Sequence, residues 1–129
     1  MTDINDKDNM WISWLNTELI LGDFTGTVKK AVDANVGPLV HYRIMEILYE
    51  QENWPVAMEF SKKTLKKYNR DPKAYISFIK LINAFQRSGH HMPEGISVKE
   101  IMRRAHQCLK TNDIIQIEVH HARSLFEFK

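Results

Sequence analysis

The stretch "WISWLNTELILGD", residues 11–23, decides how the rest of the chain is interpreted. Apolar residues recur in it at steps of three and four, the spacing of one face of an α-helix. They are Trp11, Trp14, Leu15 and Leu19. Asp8 or Asn9 can cap the start of this helix, and Gly22 can end it, because glycine adopts the left-handed conformation without steric cost. We therefore predict a helix that stops at Gly22.

The same helical period continues along the chain and is broken by short turns rich in Gly, Pro, Asn and Asp. Pro38, Pro55 and Pro72 each stand near the start of a periodic segment, a position that suits proline. The longest interruption is "SGHHMPEGIS", residues 88–97, which we predict to be a loop. No stretch shows the alternation of a strand. The sequence predicts an all-α fold of about seven helices.

Composition limits the class of protein. A length of 129 residues suits one domain, and 43% hydrophobic with 26% charged residues indicates a folded chain. Cys108 is the single cysteine, so no intrachain disulfide can form and a reducing compartment is expected. The first ten residues lack the apolar core of a signal peptide, and no apolar run approaches the roughly 20 residues of a membrane span. We expect a soluble, intracellular protein.

The even-numbered predicted helices share a short pattern. "TVKKAV" (27–32), "FSKKTL" (60–65) and "IMRRAH" (101–106) each place a small residue after two basic ones. A small residue at a helix crossing lets two backbones approach to about 8–10 Å, while paired aromatic residues fill the wider part of the interface. The residues predicted to pack the repeat are Trp11, Trp14, Glu18, Ala31, Tyr42, Tyr75, Phe78 and Ala105.

The pattern W-x-x-[WY]-x-x-x-E, followed by a Gly-Asp turn and later by "IMRRA", resembles the half-a-TPR (HAT) repeat. This resemblance implies a right-handed α-solenoid of antiparallel helical hairpins. On this basis residues 1–8 are expected to be a disordered leader and residues 9–129 a repeat domain. The expected hairpins cover about 9–35, 38–68 and 72–111, and a further first helix covers 113–128.

Within the HAT repeats, the resemblance is closest to the C-terminal HAT region of the ribosomal RNA-processing protein five family. "MWISWLNTE", "ILYEQENWPVAMEFSKKTLKKY" and "IIQIEVHHARSLFEF" look like three successive segments of that region. The resemblance implies a nucleolar scaffold that docks protein partners, and rRNA, during pre-rRNA processing and ribosome assembly. That family also carries S1 RNA-binding domains, none of which fits in 129 residues. The chain would then be a fragment or a reduced form.

Catalytic and metal chemistry find no support in the residue pattern. The six histidines include no His-x-x-x-His pair with the spacing of zinc ligands on a helix. Cys108 and His106 are two residues apart and would face different sides of a helix, so they form no nucleophile–base pair. Glycine-rich phosphate loops are absent. We expect no enzyme activity, no cofactor and no metal.

A basic stripe on the predicted fourth helix is the main candidate for a nucleic-acid contact. Its members are Lys62, Lys63, Lys66, Lys67 and Arg70. Such a row could neutralise several backbone phosphates. The alternative is the solvated face of an amphipathic helix, with lysines near its C-terminus that suit the helix dipole. The residues alone favour this second interpretation, and the family resemblance makes the two comparable. Arg103 and Arg104 form a weaker second candidate.

The last predicted helix is apolar over about 200° of its circumference, more than one neighbouring hairpin can cover. We predict a protein-interaction surface at Ile117, Leu125, Phe126 and Phe128. Two other functions stay open. One is a TPR-like peptide-binding adaptor unrelated to RNA, with a groove lined by Glu18, Tyr42, Glu46 and Tyr75. The other is a structural module that self-associates through this last helix.

Overall fold

The computed structural model describes residues 4–126, and all regular secondary structure in that range is helical. The helices are α1 (Ile4–Leu21), α2 (Phe24–Asp33), α3 (Pro38–Glu50), α4 (Trp54–Lys67), α5 (Pro72–Arg87), α6 (Val98–Cys108) and α7 (Thr111–Phe126). The predicted all-α class is therefore confirmed for the described residues. None of these helices is both long and apolar enough to cross a membrane.

The start of α1 differs from the prediction, whereas its end agrees with it. The helix begins at Ile4, so residues 4–8, expected to belong to a disordered leader, are helical, and residues 1–3 lie outside the described part. Asp8 consequently lies inside α1 and is not its cap. Gly22 ends the helix as predicted, with φ at +103°, and its N–H donates to the Glu18 carbonyl over 2.8 Å.

The chain divides into two compact units, Met1–Ile47 and Leu48–Lys129, where the sequence predicted one repeat domain over 9–129. In the first unit α1 packs against α2. The core of this unit includes Leu15, Ala31, Val40, Ile44 and Ile47, all of which are fully buried. The buried Asp8 carboxylate also accepts a hydrogen bond from the Gly37 N–H over 3.3 Å, which ties α1 to the start of α3.

In the second unit α5 is the central helix, because it packs against α4, α6 and α7. Its buried side chains include Tyr75, Phe78, Ile79 and Ile82. Burial of one such large apolar side chain stabilises the fold by about 1.5–3 kcal/mol. Asp71 caps α5, since its carboxylate accepts a hydrogen bond from the Lys73 N–H over 3.0 Å. The long loop lies between Arg87 and Val98, as predicted.

The small residues of the repeated pattern are all buried. Ala31, Thr64 and Ala105 have no exposed surface, and Tyr42, Tyr75 and Phe78 are also in the core. They are therefore available for the helix packing predicted for them.

The tryptophans do not follow this pattern. The prediction is wrong for Trp14, which is 41% exposed, while Trp11 is half-buried. Leu15 occupies the core instead, and because neighbouring helical residues project about 100° apart, Trp14 is directed away from it. The two indole rings stack on each other with centroids 4.9 Å apart, and Lys30 Nζ lies 5.4 Å from the Trp14 ring.

Candidate functional site

A cavity of about 540 Å³ opens in the second unit among α4, α5 and α6, beside residues 94–96 of the long loop. The apolar part of its lining consists of Leu65, Phe78, Ile96 and Ile101. Each of these side chains is almost fully buried, so they form a floor that the core holds in place. A site with this lining can enclose an apolar group of moderate size.

The cavity wall is cationic. Lys62 and Lys66 of α4 and Arg104 of α6 line it, and Glu94 is the one carboxylate among its lining residues. Lys62 and Lys66 reach the same wall because residues four apart lie on one face of a helix. Arg104 Nε lies 3.5 Å from Glu100, and half of the Arg104 side chain is exposed. The lining residues carry three cations and one carboxylate, and Lys62 and Arg104 each pair with a carboxylate outside the lining, Glu59 at 3.3 Å and Glu100 at 3.5 Å. Both pairs are exposed and therefore weak, so these cations can exchange onto a bound carboxylate.

Tyr75 closes one side of the cavity and is fixed in a neutral form. Its hydroxyl donates to the Asn69 carbonyl over 2.7 Å. Burial, assisted by a hydrogen bond with Cys108, raises the pKa of Tyr75 well above its usual range. Cys108, the only cysteine of the chain, lies in the same wall and is exposed. A bound molecule would therefore pass close to a thiol that can be modified chemically.

The predicted basic stripe is divided between two surfaces. The inner row, Lys62 and Lys66, lines the cavity, whereas the outer row, Lys63 and Lys67, is exposed and does not line it. Arg70 is exposed as well, but α4 ends at Lys67, so Arg70 lies in the turn before α5 and not on the helix. Successive side chains of a helix project about 100° apart, so Lys62 and Lys66 form one row on α4 and Lys63 and Lys67 form another. The predicted stripe therefore consists of two rows and one residue in the following turn.

The four residues of the predicted peptide groove differ in their exposure. Tyr42 is buried, and Tyr75 is buried with its hydroxyl already bonded to the backbone. Glu46 forms a salt bridge with Arg43 of its own helix, and Glu18 is half-buried. The prediction that Tyr42 presents itself to a peptide is therefore wrong. Tyr75 lines the cavity among α4, α5 and α6.

The residues of the predicted interaction surface on α7 differ in their exposure. Leu125 and Phe126 are 47% and 65% exposed. Ile117 is fully buried, so its assignment to this surface is wrong: α7 packs against α5, and Ile117 is one of its core residues. Phe128 lies outside the described residues. Ile115 and Val119 are also exposed, and the sequence period gave no means to separate them from the buried residues.

The remaining titratable candidates make structural contacts. Arg103 donates two hydrogen bonds to the Glu100 carboxylate, of 2.6 and 3.0 Å, and these bonds lower the pKa of Glu100. His121 Nδ1 lies 3.1 Å from the amide nitrogen of Asn83, and the ring of His90 stacks on Phe85. Within residues 4–126, no three His, Cys, Asp or Glu side chains are grouped as ligands for a metal ion.

Sequence reasoning missed the cavity as a site. In the sequence, Arg104 stands out only as part of a weaker basic pair, and neither Glu94 nor Ile96 stands out.

The described residues define an all-α protein with a cavity whose wall is cationic and whose floor is apolar. No protein-family model matches the chain, and comparisons with curated proteins and with solved structures gave no match.

Proposed function

We propose that this chain is a non-catalytic helical interaction module that docks protein partners and RNA in a nucleolar, ribosome-assembly particle. The observation that carries the proposal is the concentration of exposed cations on and just after α4. Ala57, Met58 and Leu65 provide the buried side of that helix, so its lysines are not needed for packing. The assignment to ribosome assembly rests on the resemblance to HAT repeats.

The helix neighbours in the second unit support a solenoid arrangement of HAT type. In a solenoid each hairpin contacts the next, and its first helix touches both its own partner helix and the following first helix. α5 packs against α6, its hairpin partner, and against α7, the first helix of the following repeat. α4, the second helix of the preceding repeat, also packs against α5.

The outer row and Arg70 are suited to contact the phosphates of RNA. Lys63, Lys67 and Arg70 are exposed within eight residues of each other and face solvent rather than the cavity. Cations of this kind bind nucleic acid by releasing counterions, so affinity is sensitive to salt and largely independent of base sequence. RNA binding through α4 would thus be non-specific by itself, and the docked proteins would supply specificity.

Filter binding of a structured RNA at two salt concentrations tests this proposal. The test variant changes Lys62, Lys63, Lys66 and Lys67 to Glu. The control makes the same charge change at four exposed lysines elsewhere in the chain, Lys7, Lys29, Lys99 and Lys110. We expect only the test variant to lose most of its affinity, with a salt slope shallower by about 0.7–0.9 for each phosphate that is no longer neutralised. Unchanged binding, or equal losses in both variants, would exclude the α4 surface.

Self-association through α7 is a second candidate, and its exposed apolar side chains favour it. Ile115, Val119, Leu125 and Phe126 are all more than two-fifths exposed. Exposed apolar groups that cluster on one element mark protein-interaction surfaces. Sedimentation over a wide concentration range tests the candidate, with the Leu125→Asp, Phe126→Asp double variant as comparison. A chain that stays monomeric at the highest concentration would exclude this candidate and leave α7 to a different protein.

A further inference from the structure

We propose that the cavity among α4, α5 and α6 binds an acidic peptide segment through one apolar anchor side chain. This inference deepens the protein-docking half of the proposed function and rests on it, but it does not depend on RNA binding. The occupant is defined by three features of the cavity: its volume, the charge of its wall and the lack of an open aromatic face.

The cavity has the size and the floor of a side-chain pocket. Its volume of about 540 Å³ falls within the range of roughly 300–1,000 Å³ found for ligand sites. Leu65, Phe78, Ile96 and Ile101 are the buried aliphatic and phenyl side chains of its lining. A leucine or phenylalanine side chain placed there is removed from water. Because such a side chain has no polar group, its burial costs no hydrogen bond. Burial of such a group provides the affinity that a charge contact at an exposed surface lacks.

The charge of the wall selects acidic residues on either side of that anchor. Lys62 and Lys66 are four residues apart on α4, which separates them by about 6 Å along the helix axis. Alternate residues of an extended peptide are about 6.6 Å apart, so two carboxylates on one side of the anchor match the two lysines. Arg104 supplies a cation from α6, on a different wall. Glu94 lies in the long loop and repels a carboxylate that approaches from that side, so peptides with a carboxylate there are disfavoured.

A nucleobase fits the cavity less well than a peptide. Recognition of an unpaired base relies on stacking against the face of an aromatic ring. The two aromatic residues in the lining are Tyr75 and Phe78, which are 0% and 1% exposed. Phe78 contributes apolar atoms to the floor, but this exposure leaves too little ring surface for a base to stack on. The Tyr75 hydroxyl is already bonded to the Asn69 carbonyl and is not a donor for a base edge. The cavity can hold an aliphatic or aromatic side chain by burial alone, without stacking.

Cys108 provides a specific readout, since it is the only thiol and lies in the cavity wall. The probe is the capped peptide Glu-Ser-Glu-Ser-Leu-Ser-Glu, which places two carboxylates on alternate residues before a single anchor, and the measurement is the rate at which N-ethylmaleimide, an uncharged reagent, modifies Cys108. We expect the peptide to slow the modification in a saturable way. Two control peptides should protect far less: Glu-Ser-Glu-Ser-Gly-Ser-Glu, which lacks the anchor, and Lys-Ser-Lys-Ser-Leu-Ser-Lys, which reverses the charge.

Two double variants with the same charge change complete the test. Lys62→Glu with Lys66→Glu alters the cavity wall, whereas Lys63→Glu with Lys67→Glu alters the outer row of the same helix. All four lysines are exposed, so both variants should fold, which circular dichroism checks. We expect the inner-row variant to raise the concentration needed for half-protection by about tenfold or more, as for loss of two close charge pairs. The outer-row variant should stay within about twofold, the effect of distant charges.

Three results would overturn the proposal. The first is that the acidic peptide gives no protection at millimolar concentration. The second is that the two double variants have equal effects on protection. The third is that a hexauridylate protects Cys108 as effectively as the peptide does. The last result would assign the cavity to RNA. Failure of the proposed function gives a different pattern, because a natural chain that binds no RNA in the filter assay would still show peptide protection of Cys108.

Discussion

Asn83 of α5 donates a hydrogen bond from its side-chain amide to the hydroxyl of Ser124 on α7, with 2.7 Å between Nδ2 and Oγ. Both side chains are buried. The Ser124 hydroxyl in turn donates to the His121 carbonyl over 2.8 Å, so the network is continuous. This buried polar link fixes the position of α7 along α5, which apolar packing alone would leave adjustable.

The Asn83→Leu variant should lower the free energy of unfolding by about 1–3 kcal/mol, because it removes a buried hydrogen bond and leaves part of the network unsatisfied. Urea unfolding followed by circular dichroism measures the change. Thr17→Ala is the control, since Thr17 makes an exposed hydrogen bond to Ser13 within α1. Its cost should be within about 0.5 kcal/mol. Equal costs for the two variants would show that the link does not hold α7.

Gly37→Ala should destabilise the first unit because of a single close approach. A Cβ at this position would lie 2.6 Å from Asp8 Oδ2, so the carboxylate that accepts from the Gly37 N–H would have to move. We expect a loss of about 1–2 kcal/mol, comparable with the loss of a helix cap. A double-mutant cycle with Asp8→Ala checks the cause. If the clash with Asp8 is responsible, Gly37→Ala costs little in the Asp8→Ala background.

Ser61→Ala should stabilise the second unit. Ser61 on α4 is fully buried, and among the described residues its hydroxyl has no hydrogen-bond partner. An unsatisfied buried hydroxyl costs about 1–3 kcal/mol, and alanine removes that cost without opening a large cavity. We expect a gain of about 1 kcal/mol in chemical denaturation. Ser88→Ala removes a hydroxyl that does donate, to the Ala84 carbonyl, and should not stabilise. A loss of stability in Ser61→Ala would mean that the hydroxyl is satisfied.

The helices could be predicted from the sequence because their signals are local. Apolar period, prolines near helix starts and the left-handed Gly22 depend only on neighbouring residues. The role of Asp8 could not be predicted, since it accepts a hydrogen bond from Gly37, 29 residues away. The broad apolar arc of α7 likewise did not reveal that Ile117 faces the core and Phe126 faces solvent. Which side is covered depends on where α5 packs.

The cavity was beyond sequence reasoning for the same reason. Lys62 and Lys66 could be placed on one face of α4, but Arg104 and Ile96 join them only through the packing of α6 and the course of the loop. A local period assigns residues to faces of one helix. It does not determine which faces of two helices enclose a common space.

The two kinds of tryptophan should differ in their contribution to stability. Trp54 of α4 is buried and makes edge contacts with Tyr49 and Phe85, whereas Trp14 is largely at the surface. We expect Trp54→Ala to cost about 3–5 kcal/mol, the range for core aromatics, and Trp14→Ala about 1 kcal/mol. Thermal unfolding of the two variants measures the difference. If Trp14→Ala costs as much stability as Trp54→Ala, then Trp14 contributes to core packing as the sequence predicted.

Tyr75 should make the stability fall as the pH rises above about 10, the ordinary pKa of tyrosine. Burial raises the pKa of Tyr75 in the folded chain, so above that pH the unfolded chain loses the proton while the folded chain keeps it. The folded state then binds more protons, and the free energy of unfolding decreases with pH by up to about 1.4 kcal/mol per unit.

The Tyr75→Phe variant isolates this effect. At pH 8 it should be less stable than the natural chain by about 1 kcal/mol, because it lacks the hydrogen bond to Asn69. That difference should shrink at pH 11, since only the natural chain has a hydroxyl at this position to ionise on unfolding. Guanidinium unfolding at both pH values measures the difference. Phe78→Leu, which removes no titratable group from the cavity wall, should keep a constant difference, and the same constancy in Tyr75→Phe would contradict the raised pKa.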